Sequence, residues 1–273
     1  MAILEKIFSR LVSMSKIAVL SLVLATSACD DPPAKTQKAE ILAYIGITMA
    51  KPMSEIADLY QKTHNVKITI TQGGSEDLYK SLKSSKVGDL YLPGSASYRE
   101  NKLSEGLLGD FVLVGYNQAA LMVPRGNPRD VKADVHELLR DDLAIVLCNP
   151  QSGSIGRETQ RILRSVGIEQ QAYDRAEFLT TDSRNLNKAL RNGDADLILN
   201  WRATAFFDEN RPTTEVLDLP RDLGQPEELV LNLLTFSKNP DIARDIMGFV
   251  TSPEGQAIFR RYGFIDAAGN SEK

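Results

Sequence analysis

Apolar and polar positions along this chain follow two periods that take turns. Residues 41–48, "ILAYIGIT", form an almost unbroken apolar run of strand length, and Met53, Ile56, Ala57 and Tyr60 then recur at helical spacing. "NVKITITQ" places Val66, Ile68 and Ile70 two apart, which predicts a strand, and Leu78 and Leu82 mark the next helix. "GDLYLPG", residues 88–94, reads as a third strand. Strand, helix, strand, helix, strand predicts a parallel, doubly wound sheet.

The same order recurs with different residues. "FVLVGYNQAALMVP", residues 111–124, is too long for one ordinary strand and breaks near Gly115-Tyr116-Asn117, as a segment passing between two bodies would. "LAIVLCNP" predicts a strand, and Ile155, Thr159, Ile162, Leu163 and Val166 mark one face of a helix. "AEFLTT", a helix through Leu186, Ala189 and Leu190 that ends at Gly193, and the strand "ADLILNW" complete a second set. From about Glu227 a long apolar strand and two helical segments are expected to cross back and brace the first set. The expected fold class is α/β, with two doubly wound α/β lobes and a ligand cleft between them. Residues 40–114 and 237–273 are assigned to lobe I, and 115–236 to lobe II.

The N-terminus changes the picture of where such a chain works. Lys6, Arg10 and Lys16 precede or open an apolar stretch at 17–25, which is followed by Thr26-Ser27-Ala28-Cys29. That stretch is shorter than the roughly 20 residues of a transmembrane helix and has the layout of an export signal. It resembles a bacterial lipoprotein signal, although Thr26 stands where leucine is usual. The resemblance implies loss of residues 1–28, lipidation of Cys29 and a flexible tether at 29–39. Asp30, directly after the cysteine, resembles the signal that retains lipoproteins on the periplasmic side of the inner membrane. An exported, tethered chain with a cleft points to solute capture.

Losing residues 1–28 removes three basic residues and one acid, which takes the net charge from −4 to −6 and argues against a nucleic-acid partner. Besides Cys29 the cysteines include only Cys148, so no disulfide framework is expected, and it reads as a small buried hydrophobe. His64 and His136 are the only histidines and read as surface residues. No metal site and no cofactor are expected.

Candidate chemistry sits at the strand-to-helix junctions, where an α/β sheet offers its crevice and unpaired helix N–H groups point outward. The first junction carries Thr48, the second Gly73, Gly74 and Ser75, and the third Ser95 and Ser97. The fourth, "NPQSGSIGRE", carries Ser152, Gly153, Ser154 and the N–H groups of Ile155 and Gly156, while the fifth has Ser183, Asn185 and the N–H of Leu186. Neutral donors recurring across both lobes suit an ionised oxyanion. The fourth junction is no phosphate-binding P-loop, because Gly156 is followed by Arg157-Glu158 rather than Lys-Ser/Thr. It lacks the Gly-x-Ser-x-Gly spacing of a nucleophile elbow as well.

Several segments in this order resemble the periplasmic molybdate-binding proteins of ABC importers, within the type 2 periplasmic binding proteins. They include "GITMAKPMSEIADLY", "GGSEDLYKSLKSSKVGDLYLPGS", "NPQSGSIGRETQRILRSVG" and "ALRNGDADLILNW", and the likeness runs over about residues 40–264. The resemblance implies a monomeric receptor, not an enzyme, that hands a small tetrahedral oxyanion to an inner-membrane permease. It implies molybdate or tungstate first, with phosphate or sulfate behind. It places Thr48 and Ser75 at the serine positions of the first lobe, and the N–H groups of Ile155 and Leu186 in the second. The family's tyrosine falls on Trp201, whose indole can only donate. Arg157, Asn185 and Arg202 stand near the same rim, where a guanidinium fork would favour phosphate-like or carboxylate ligands. Two other classes stay open. An enzyme would draw on Glu76, Asp77 or Glu158, and an anchored sensory or interaction module would keep the lobes but bind a partner protein.

Overall fold

The computed structural model describes residues 38–271. The expected signal at 1–28 and the lipidation site Cys29 lie outside the described residues, as does most of the expected tether. Its last residue is already structured: Ala39 pairs with Val66 in the first sheet.

The first lobe is built from β1 (Ala39–Gly46), a 3₁₀ turn (Ile47–Met49), α1 (Ala50–Thr63), β2 (Val66–Gly73), α2 (Ser75–Ser85), β3 (Leu90–Leu92) and the short α3 (Ser97–Glu100). β4 (Leu108–Asn117) completes its outgoing chain, and β5 (Ala119–Pro124) opens the second lobe. There β6 (Ile145–Cys148), α4 (Ser154–Ser165), α5 (Glu169–Arg175), β7 (Phe178–Thr180), α6 (Ser183–Asn192), β8 (Leu197–Trp201) and β9 (Thr214–Asp218) follow. β10 (Glu227–Leu234), α7 (Pro240–Thr251), α8 (Pro253–Arg261) and β11 (Ile265–Asp266) return to the first.

The six-stranded sheet has the order β11-β4-β10-β3-β1-β2, and the five-stranded sheet β7-β6-β8-β5-β9. β1 pairs in parallel with β2 and β3, as β6 does with β7 and β8. Each trio is then flanked by an antiparallel strand, β10 against β3 and β5 against β8. The sheets are thus mixed rather than purely parallel, because one strand of each is supplied by a segment that crosses between lobes. β10 also moves the lobe boundary. The strand from Glu227 was expected to cross back to the first lobe, and β10 does so: its near-continuous apolar run is buried between β3 and β4, so the second lobe stops before residue 227 rather than at 236.

Period-two patterning explains why the first sheet is covered on both faces. Ile41, Ala43 and Ile45 join Met53, Ile56, Leu231, Ile246 and Phe259 on one side, while Tyr44 joins Leu78, Tyr79, Leu82 and Tyr98 on the other. The second lobe has its own core around Val146, Leu147, Ile162, Leu163 and Leu199. Cys148 belongs to that core, and burial pushes its thiol up to about 12. The lobes are joined by two backbone crossings, 117–119 and 218–227, and by Ala203 and Phe207, which pack into the first lobe's core. Two crossings without a rigid shared sheet are what a hinge requires.

Candidate functional site

Five junctions converge where the lobes meet. A small cavity there is lined by Gly46, Ile47 and Thr48 after β1, Gly73 to Ser75 after β2, and Gly94 after β3. The second lobe closes it with Gly153, Ser154 and Ile155 after β6, and Asp182 and Ser183 after β7. Its volume is about 10 Å³, room for roughly one water-sized body. The lobes are therefore drawn together, and a larger guest must ease them apart.

Two hydroxyls define the chemistry of this space. Ser75, 2% exposed, accepts a hydrogen bond at Oγ from the Gly94 N–H at 3.0 Å. Ser154, 7% exposed, accepts one from Trp201 Nε1–H at 3.1 Å. In each case a fixed N–H occupies an acceptor site of the oxygen, and among the described residues no acceptor takes the hydroxyl proton. Both O–H groups are left as donors. Thr48, buried at 3%, has no side-chain partner among the described residues. Neither α2 nor α4 carries a side-chain cap, since Gly74 and Gly153 occupy their N-cap positions. First-turn N–H groups at both helices thus lack the usual side-chain acceptor, and both dipoles favour negative charge in the cavity.

The glycines are matched to this closeness. A Cβ on Gly74 would lie 2.6 Å from the backbone oxygen of Ser152, and one on Gly94 would lie 2.1 Å from Ser154 Oγ. Both contacts cross from one lobe to the other. Around them Arg157 on α4 donates to Glu76 on α2 at 2.6 Å and lies 4.0 Å from the ring centroid of Tyr98, while Lys51 pairs with Glu209.

The family of bacterial extracellular solute-binding proteins matches residues 41–265, nearly the whole described body. The chain belongs to that family. A binding protein of Haemophilus influenzae is 26% identical over 257 residues, covering 92% of this chain and 98% of its own. The molybdate-binding protein ModA of Rhodobacter capsulatus is 22% identical, covering 83% and 88%. Among solved structures, the periplasmic molybdate-binding protein of Azotobacter vinelandii superposes with a TM-score of 0.70 at 14% identity, over 82% of this chain and 98% of its own. The family and these relatives are binding proteins, and the chain shares the fold of the periplasmic Azotobacter protein. Among the described residues, no helix is long and apolar enough to cross a membrane.

Within this solute-binding protein, Thr48, Ser75, Ser154 and Ile155 are brought to one cavity. Other expected positions are not. Ser95 turns away: its hydroxyl bonds Ser97 and Glu227, and the neighbouring Gly94 lines the cavity instead. The Leu186 N–H is spent inside α6, donating to the Asp182 carbonyl at 3.2 Å, because Asp182 is the N-cap and Leu186 closes the first full turn. Ser183, at the helix start, takes its place. Asn185 completes the same cap, with its N–H on Asp182 Oδ1 at 2.9 Å.

Trp201 is fully buried and does not line the cavity; it acts on Ser154 from behind. The two arginines are engaged elsewhere. Arg157 is held by Glu76, and Arg202 by Asp218 at 2.8 Å, stacked over Phe206. Two of the candidate carboxylates, Glu76 and Glu158, are tied as well. Glu76 meets both Arg157 and Lys102, and both oxygens of Glu158 accept from Arg161 at 2.8 and 2.6 Å. Burial raises the Glu158 carboxyl while Arg161 opposes that shift. What went unseen in the sequence was Gly46 and Gly94, which act through backbone position, and Asp182, which caps α6 with its carboxylate. The one readable signal was Asp182 three residues before Asn185, the spacing of a helix cap.

Proposed function

We propose that this protein is the extracytoplasmic receptor of an ABC importer, closing its lobes over a small tetrahedral oxyanion and passing it to an inner-membrane permease. The observation that carries the reading is the pair Ser75 and Ser154. One hydroxyl comes from each lobe, and each has an N–H on its oxygen and a proton free to donate into the shared cavity. A fully ionised anion accepts from all sides and needs such donors. A ligand that must donate a proton meets few acceptors there. Molybdate and tungstate are the leading ligands, supported by the likeness to molybdate-binding relatives, with sulfate and phosphate next.

Closure follows from the same geometry. An anion bonded to Ser75 and Ser154 links the lobes, so its contacts exist in full only in the shut form. Thermal unfolding of the chain from Asp30 onward, with each oxyanion at ~100 times its dissociation constant, is expected to show a stabilisation of about 2.7 kcal/mol with one of them. No rise with any oxyanion removes the reading. Ser75→Ala is expected to weaken binding by ~1–3 kcal/mol, read by titration calorimetry, because a buried donor to a charged acceptor is lost.

The segment around Cys29 supports a lipid anchor on the periplasmic side of the inner membrane, with residues 30–38 as the tether. In cells, Cys29→Ser is expected to move the protein from the membrane fraction to the soluble periplasmic fraction. Retention of the variant on membranes would remove the anchor.

A further inference from the structure

Beside the anion cavity, and sharing Ile47, Thr48 and Ser183 with it, lies a second chamber of about 630 Å³. It opens between α1 of the first lobe, through Lys51, Ser54 and Asp58, and α6 of the second, through Arg184, Asn187 and Arg191. Pockets that enclose small organic molecules run to roughly 300–1,000 Å³. A bare tetrahedral anion would leave such a chamber to water.

Size alone does not separate a subsite from the mouth of a cleft; the polar groups do. Asn187 is 2% exposed, lines the chamber, and its Oδ1 is buried without a hydrogen-bond partner. An unpaired buried carbonyl costs free energy until a donor reaches it, which is why such groups are rare in folded proteins. Two more groups lining the chamber have no partner among the described residues, the Thr48 hydroxyl from the first lobe and the Arg184 guanidinium from the second. The remaining cations are occupied, Lys51 by Glu209 and Arg191 by Asn210. Arg184 and Asn187 are three apart on α6 and therefore share a face, one step beyond Ser183 at the anion cavity.

We propose that the receptor takes a mono-substituted tetrahedral anion, a small phosphate ester of a polyol or hydroxy acid. Its head lies between Ser75 and Ser154, and its hydroxylated body occupies the chamber. A ligand hydroxyl donates to Asn187 Oδ1, and a second ligand oxygen accepts from Arg184. The inference rests on the oxyanion reading above and names a substrate class for the same site.

Calorimetric titration of the chain from Asp30 onward with molybdate, inorganic phosphate and glycerol 3-phosphate tests it. Glycerol 3-phosphate is expected to bind at least about tenfold more tightly than inorganic phosphate. Asn187→Ala and Arg184→Ala are each expected to erase that advantage and to leave binding of the inorganic anions unchanged. Arg184 is exposed, so its variant keeps the test decisive should Asn187→Ala fail to fold. An ester that binds no better than inorganic phosphate, or an advantage that survives Arg184→Ala, overturns the inference and leaves the oxyanion receptor standing. Failure of all three anions to bind overturns both.

Discussion

Gly74→Ala is expected to lower anion affinity at least about tenfold, ~1.4 kcal/mol, while leaving the unliganded protein almost as stable as before. The two effects separate because the obstacle exists only between the lobes. Gly74 has φ −64° and ψ 141°, a conformation open to alanine, so the first lobe carries no backbone strain from the change. Restricting the unfolded chain favours alanine by about 0.4–1 kcal/mol, and loss of an N-cap glycine costs a similar amount. Across the interface the new methyl would stand 2.6 Å from the Ser152 carbonyl oxygen, an atom of the backbone that cannot rotate away. The lobes must stay apart, and an anion held from both sides loses one set of donors. Calorimetry beside thermal unfolding reads the two quantities. Unchanged affinity would mean that the ligand-bound form does not bring Gly74 and Ser152 together.

Ser154→Ala is expected to damage both stability and binding. Removing the hydroxyl leaves Trp201 Nε1–H with no acceptor at a site with 0% exposure, a loss of ~1–3 kcal/mol. In a body of this size that lowers the unfolding midpoint by about 2–4 °C per kcal/mol. Binding falls separately, since the second lobe's side-chain donor to the anion is gone. A double-mutant cycle distinguishes the two losses. In a Trp201→Phe background no indole N–H remains to be orphaned, so the stability cost of Ser154→Ala shrinks while the affinity cost persists. An equal stability cost in both backgrounds would show that Trp201 does not hold Ser154.

Much of the candidate site was legible as places along the chain. All five junctions that line the cavity can be marked from where a strand period gives way to a helix period beside Gly, Ser or Thr. Which residue at a junction faces inward was harder to read. Ser95 and Gly94 are neighbours, and the glycine lines the cavity because the serine hydroxyl is drawn to Glu227, 132 positions away. Leu186 and Ser183 differ by one helical turn, and the choice depends on Asp182 serving as the cap. The arginines at 157 and 202 looked available because Glu76 and Asp218 are distant from them in sequence.

The order of strands and helices, the doubling into two α/β sets and the positions of the junctions are properties of the amino-acid sequence by itself. Hydrophobic periodicity and helix caps act over a few residues, so they can be read without knowing what packs where. Tertiary structure decided the rest: the antiparallel place of β10 between β3 and β4, the direction of each hydroxyl, the pairing of each arginine and the chamber beside the anion cavity. Those depend on partners brought from afar. Ser75 is oriented by a residue 19 positions away, Ser154 by one 47 away and Arg157 by one 81 away. A donor's direction is set by the atoms that meet it, and only the closed fold brings those atoms within 3 Å or so of one another.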